Sequence, residues 1–124
     1  MPKRLDDVAQ SPKANEWSIR YGASEAAANW PELCKQLPGT TREAWDRMRQ
    51  HPLERTDTQK PLGGKLGSRI VAGRELPQWQ VDLSSGGRIW YRVDEVGKTV
   101  WLMLASARHP GATQSKGKNT SRNR

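Results

Sequence analysis

The run Trp79-Gln80-Val81-Asp82-Leu83-Ser84-Ser85-Gly86-Gly87-Arg88-Ile89-Trp90-Tyr91-Arg92-Val93-Asp94 decides how this chain folds. In 79–83, Trp79, Val81 and Leu83 share one face and Gln80 and Asp82 the other. That period of two marks a half-buried strand. Ser84-Ser85-Gly86-Gly87 is a turn signal, since glycine takes the positive φ angles that tight hairpin loops demand. Alternation resumes in 88–93, with Ile89, Tyr91 and Val93 set against Arg88, Trp90 and Arg92. Residues 94–98 supply a second turn. Residues 99–105 are nearly all apolar, as expected of a central strand buried on both faces. Three antiparallel strands in a meander follow from this, with Arg108 and His109 placed where the last one ends.

Upstream, 1–15 is charged, carries Pro2 and Pro12, and is expected to be a flexible arm. Trp17, Ile19 and Tyr21 alternate, which predicts a short strand. Residues 25–37 are helical in pattern: Ala26, Ala27, Trp30, Leu33, Cys34 and Leu37 form one stripe, with Ser24 as N-cap and Pro31 as a kink or restart. Pro38-Gly39 should end that helix. Thr40-Thr41-Arg42-Glu43 reads as a capping box opening a second helix to about Gln50. That helix buries Ala44, Trp45 and Met48, exposes Asp46, Arg47 and Arg49, and stops at Pro52. His51 then serves the helix's C-cap. The segment 54–74 is rich in glycine and charge, with one candidate strand at 68–72. Its Gly63-Gly64-Lys65 lacks the spacing of a phosphate-binding loop. Residues 111–124 hold Lys116, Lys118, Arg122 and Arg124 and no acid, so a disordered basic tail is expected.

A strand, a helical hairpin and then three or four antiparallel strands define an α+β domain at 16–110. The helices should pack on one sheet face through Trp30, Leu33, Trp45 and Met48, leaving the other partly open. At 124 residues the chain has length for one modest core. A mean hydropathy of −0.91 implies that part of this length is not packed, and a net charge of +8 with a pI near 10.2 points to a polyanionic partner such as nucleic acid, the ribosome or an acidic protein. With neither a long apolar run nor a signal-peptide pattern, a soluble cytoplasmic protein is expected. The single Cys34 excludes an internal disulfide and a cysteine-based zinc cluster.

The residues 84–94, with Thr99-Val100-Trp101-Leu102, Arg108-His109-Pro110 and, upstream, Leu62-Gly63-Gly64-Lys65-Leu66, resemble the RelE/ParE family of bacterial type II toxins. The resemblance implies a microbial-ribonuclease-like fold and a toxin held in check by an antitoxin protein. Many members cut mRNA, usually on the ribosome, and so inhibit translation and arrest growth; some instead inhibit DNA gyrase. RNA cleavage of this kind needs a base for the 2′-hydroxyl, an acid for the leaving oxygen and cations for the phosphorane, with neither metal nor other cofactor. By position, Arg88 matches the phosphate-contacting arginine after the glycine turn. Arg108 and His109 match the polar cluster closing the last strand, His109 being the candidate acid or base. Trp90, on the face of Arg88 and Arg92, is the ring placed to stack on a base, and Arg92 is a further candidate nucleic-acid contact. Family ribonucleases carry lysines on the strand before the turn, where this chain has Gln80 and Asp82; Lys65, Arg69 and Arg74 are candidate replacements for nucleic-acid contact. A gyrase-directed toxin and a non-toxic basic RNA- or DNA-binding module remain the alternative expectations.

Overall fold

The structure, a computed structural model, describes residues 2–8, 15–63, 68–71, 74–83 and 86–107, with backbone alone for 68–71 and 74. The strand β1 (Ser18–Tyr21) leads into helices α1 (Ser24–Gln36) and α2 (Pro38–Gln50). Then come β2 (Gln59–Pro61), β3 (Ser68–Val71), β4 (Arg74–Asp82), β5 (Arg88–Asp94) and β6 (Thr99–Ser106). The sheet order is β1-β6-β5-β4-β2; β1 runs parallel to β6 and the other pairs are antiparallel. β3 pairs with the N-terminal half of β4. The expected α+β architecture, with its helical hairpin and meander, is therefore present. The sheet, however, exceeds the three or four antiparallel strands expected and is mixed, because β1 joins it parallel to β6 and the short β2 and β3 both pair with β4.

Both helices bury their apolar stripes on one face of the sheet. Ala26, Ala27, Trp30 and Leu33 of α1 join Ala44, Trp45 and Met48 of α2 over Ile19, Val81, Ile89, Tyr91, Val93, Val100 and Leu102. Each large side chain so enclosed contributes about 1.5–3 kcal/mol over leaving it in water. The rings of Trp30 and Trp45 stack with centroids 6.3 Å apart. The opposite face carries a smaller cluster, Leu76 with Trp101, against which Leu5 and Met103 pack. Trp101 thus faces away from the main core.

Several local expectations are corrected. Residues 2–8 are ordered along the outer edge of β1: Leu5 N–H donates to Tyr21 O and Val8 N–H to Ile19 O (2.8 Å), and Val8 is buried. The arm reads as polar, but Val8 joins the main core and Leu5 packs against the Leu76–Trp101 cluster. Ala23, not Ser24, is the N-cap of α1 and gives no side-chain cap. Pro31 does not restart the helix, since α1 is continuous through it. The break between helices is the single residue Leu37. Pro38 opens α2 at its first turn, where a fixed φ suits a helix and the missing N–H is not needed. The threonines therefore lie inside α2, and Thr41 Oγ1 donates back to Leu37 O at 2.8 Å instead of forming a capping box. Arg49, expected in solvent, is buried. The tail 111–124 lies outside the described residues.

Two tyrosines hold the core to its surroundings. Tyr91 donates its hydroxyl to Pro52 O at 2.7 Å, fixing the chain just after α2. Burial, then the nearby Cys34 and Asp6, pushes the Tyr21 hydroxyl up to about 12, and burial raises Tyr91 as well. An unfolded tyrosine ionises near 10. The unfolded chain therefore loses these protons first: the stabilisation is fully present below about pH 10 and is lost as pH rises toward 12. Urea midpoints should fall between pH 9.5 and 11.5 (roughly that window), and Tyr21→Phe should fall less steeply. An equal slope in the variant would refute the assignment.

Candidate nucleic-acid interface

The glycine turn brings three strands to a common end. Asp82 of β4 pairs with Arg88 of β5, which pairs with Ser106 of β6. Gly86 has a φ of +97°, the left-handed region that favours glycine. At Gly87 a Cβ would strike Ser106 O and come within 2.8 Å of Ala107 Cα, so only glycine allows this approach. The first residue of β5 is thereby held against the end of β6.

On the face away from the helices, Gln80 organises the side chains. Its Oε1 accepts from Trp90 Nε1 at 2.8 Å and from Arg88 Nη1 at 3.3 Å. Its Nε2 donates to Asp82 Oδ1 at 2.7 Å. The amide is buried, so these bonds are shielded from competing water. They fix the plane of the Trp90 ring and the reach of the Arg88 guanidinium, both of which stay partly exposed. Arg88 Nε is buried with no hydrogen-bond partner among the described residues. Such an end-of-sheet cation beside an indole can bind a phosphate and stack a base.

Arg92 shares this face but is 1% exposed, deeper than a phosphate contact requires, and donates Nη1 to Leu76 O at 3.3 Å. Arg69 pairs with Leu76 and Arg74 opens β4. Six and eight residues of strand separate those positions from Asp82, roughly 20 and 26 Å of backbone. Arg69 and Arg74 thus do not share the end of the sheet at which Arg88 stands, and cannot replace strand lysines there. Lys65, Arg108 and His109 lie outside the described residues. Arg88 and Trp90 are the sequence-selected pair that the fold brings together.

The residue that sequence reasoning passed over is Gln80, which it registered only as a missing positive charge. Its signal was the alternation itself, which put Gln80 on the face of Arg88 and Trp90. Elsewhere, a cavity of about 630 Å³ lies between α2 and the end of β4, with Arg47 and His51 in its wall. Among the described residues, no group of histidine, cysteine and carboxylate side chains is placed to hold a metal ion, and no helix is long and apolar enough to cross a membrane. Comparison with protein-family models, curated proteins and solved structures finds no match.

Proposed function

We propose that this chain is the toxin of a type II toxin–antitoxin pair, of the RelE/ParE kind, and cleaves mRNA on the ribosome. The observation that carries the reading is the placement of Arg88. Its guanidinium is tethered by Gln80 beside the Trp90 indole. It stands opposite Ser106, two and three residues in sequence before Arg108 and His109. In this reading Arg88 and Arg108 stabilise the charge that grows on the phosphorane, and His109 moves the proton. The net charge of +8 suits both an RNA substrate and an acidic antitoxin.

The test is expression from a tightly controlled promoter, beside His109→Ala, with new RNA 5′ ends mapped within minutes. Discrete cuts in translated mRNA, lost in the variant, are expected. Growth arrest with intact RNA would overturn the ribonuclease reading and favour the second one, a toxin of the same fold acting on gyrase or another protein. The presence of Gln78, Gln80 and Asp82, with no lysine on that face of β4, favours that alternative.

A further inference from the structure

A second cavity, also of about 630 Å³, opens where the last turns of α1 meet the start of α2. Val8, Trp30, Cys34 and Trp45 form its apolar wall. The two indoles are stacked on each other and are 6% and 8% exposed, so the fold fixes the edges they present. Pro38 and Gly39 bring the first turn of α2 to the rim, where there is neither a side-chain cap nor an acidic residue. Such a helix start carries partial positive charge. Arg42 is the single charged residue of the lining among the described residues. Its side chain is 66% exposed, and its ion pair is from Nε to Asp46 Oδ2 at 3.5 Å, which leaves the two Nη groups for a ligand. The helices cover the sheet face opposite to Arg88, so this cavity is separate from the site described above.

We propose that this cavity binds a small apolar carboxylic acid, its hydrocarbon body against Val8, Trp30 and Trp45 and its carboxylate on Arg42. The inference goes beyond the RNA-cleaving reading and does not depend on it. The volume lies within the ~300–1,000 Å³ of pockets that enclose small molecules, which combine mostly apolar walls with a few polar groups that fix orientation. Charge decides the head group. A cationic ligand would meet Arg42 and the start of α2, both positive, and a neutral one would leave the guanidinium unused. A carboxylate matches the planar fork of the Nη groups. The same count argues against an acidic partner helix. Several acids along a helix need several cations, and this rim has one.

The experiment is titration calorimetry of the full chain with naphthaleneacetate and, as its uncharged match, naphthaleneacetamide. The acid should bind about ten- to a hundredfold tighter, the range of one hydrogen-bonded contact to a charged group. Arg42→Gln, an exposed change, should remove that difference while leaving the affinity for the amide unchanged. Gly39→Met tests the place. A Cβ at Gly39 meets nothing within 4 Å, so a longer side chain has room to enter the cavity and should weaken acid and amide alike. Cys34, the one cysteine of the chain, gives a second readout. Half-buried in the cavity wall, it should react more slowly with N-ethylmaleimide when the acid is at saturation. Equal affinities for acid and amide, no binding at millimolar acid, or an unchanged labelling rate would overturn the site. So would undiminished binding by a Gly39→Met protein whose thermal melt matches wild type.

Discussion

Arg49→Ala is expected to lower the unfolding free energy by about 3–5 kcal/mol, the cost of removing one partner from a buried ion pair. Arg49 Nη1 lies 3.5 Å from Glu16 Oε1, with side chains 11% and 9% exposed. Its Nη2 donates to Asp46 Oδ1 at 3.2 Å, and its guanidinium sits 5.5 Å from the Trp45 ring centroid. The backbone adds a further tie, since Trp17 N–H donates to Arg49 O at 2.8 Å. Together these join the start of β1 to the last turn of α2, two segments more than thirty residues apart in sequence. Losing the guanidinium leaves the Glu16 carboxylate in a poorly solvated place without its cation, which is why the loss exceeds that of a surface pair at about 0–1 kcal/mol. Against a domain stability on the order of 5–15 kcal/mol, urea unfolding would show it readily. The double variant Arg49→Met with Glu16→Leu should recover most of the loss, because an apolar pair needs no compensation. A fall below about 1 kcal/mol in the single variant, on the scale of exposed pairs, would mean that the contact is solvated in solution.

The burial of Arg49 also shows where the sequence stops being informative. Trp45, Met48 and Arg49 have the spacing of one helix face. A charged residue at the third position reads as solvent-facing unless its partner is known, and Glu16 lies far back in the chain. The strands were legible because β4 and β5 alternate cleanly, and their registers follow from the hairpin between them. In β6 the run Leu102-Met103-Leu104 has no period, so the bulge that sends two successive residues to one face leaves no trace in the pattern. β2 is three residues, Gln-Lys-Pro, too short and polar to announce a strand. The helix boundary failed for a different reason: the threonine–glutamate spacing of a capping box competed with Pro38, and the proline's preference for the first helical turn prevailed. The candidate site divides the same way. Arg88 is marked by the glycine turn before it. Gln80 gains its role only from the pairing that sets it across from Trp90.

If the chain is the ribonuclease proposed above, Arg88→Ala is expected to slow single-turnover RNA cleavage by about 10²–10³-fold, the usual loss on removing one preorganised group that faces developing charge. The effect should fall on the rate at saturating RNA more than on binding, since the growing phosphorane charge draws more on the guanidinium than the ground-state phosphate does. Arg88→Lys should recover part of it, because an ammonium keeps the charge and loses the planar fork. The thermal melt should barely move, as Arg88 is partly exposed and its side chain is bonded to Gln80 alone among the described residues. Gln80→Leu separates positioning from charge. It removes the acceptor that holds both Arg88 and Trp90 and leaves Arg88 in place, so a smaller loss, about tenfold, is expected, the cost of a misplaced rather than a missing group. Arg88→Ala without effect would remove this end of the sheet from the chemistry. Gln80→Leu equal to wild type, with Arg88→Ala inactive, would keep Arg88 and show that it finds its geometry without the glutamine.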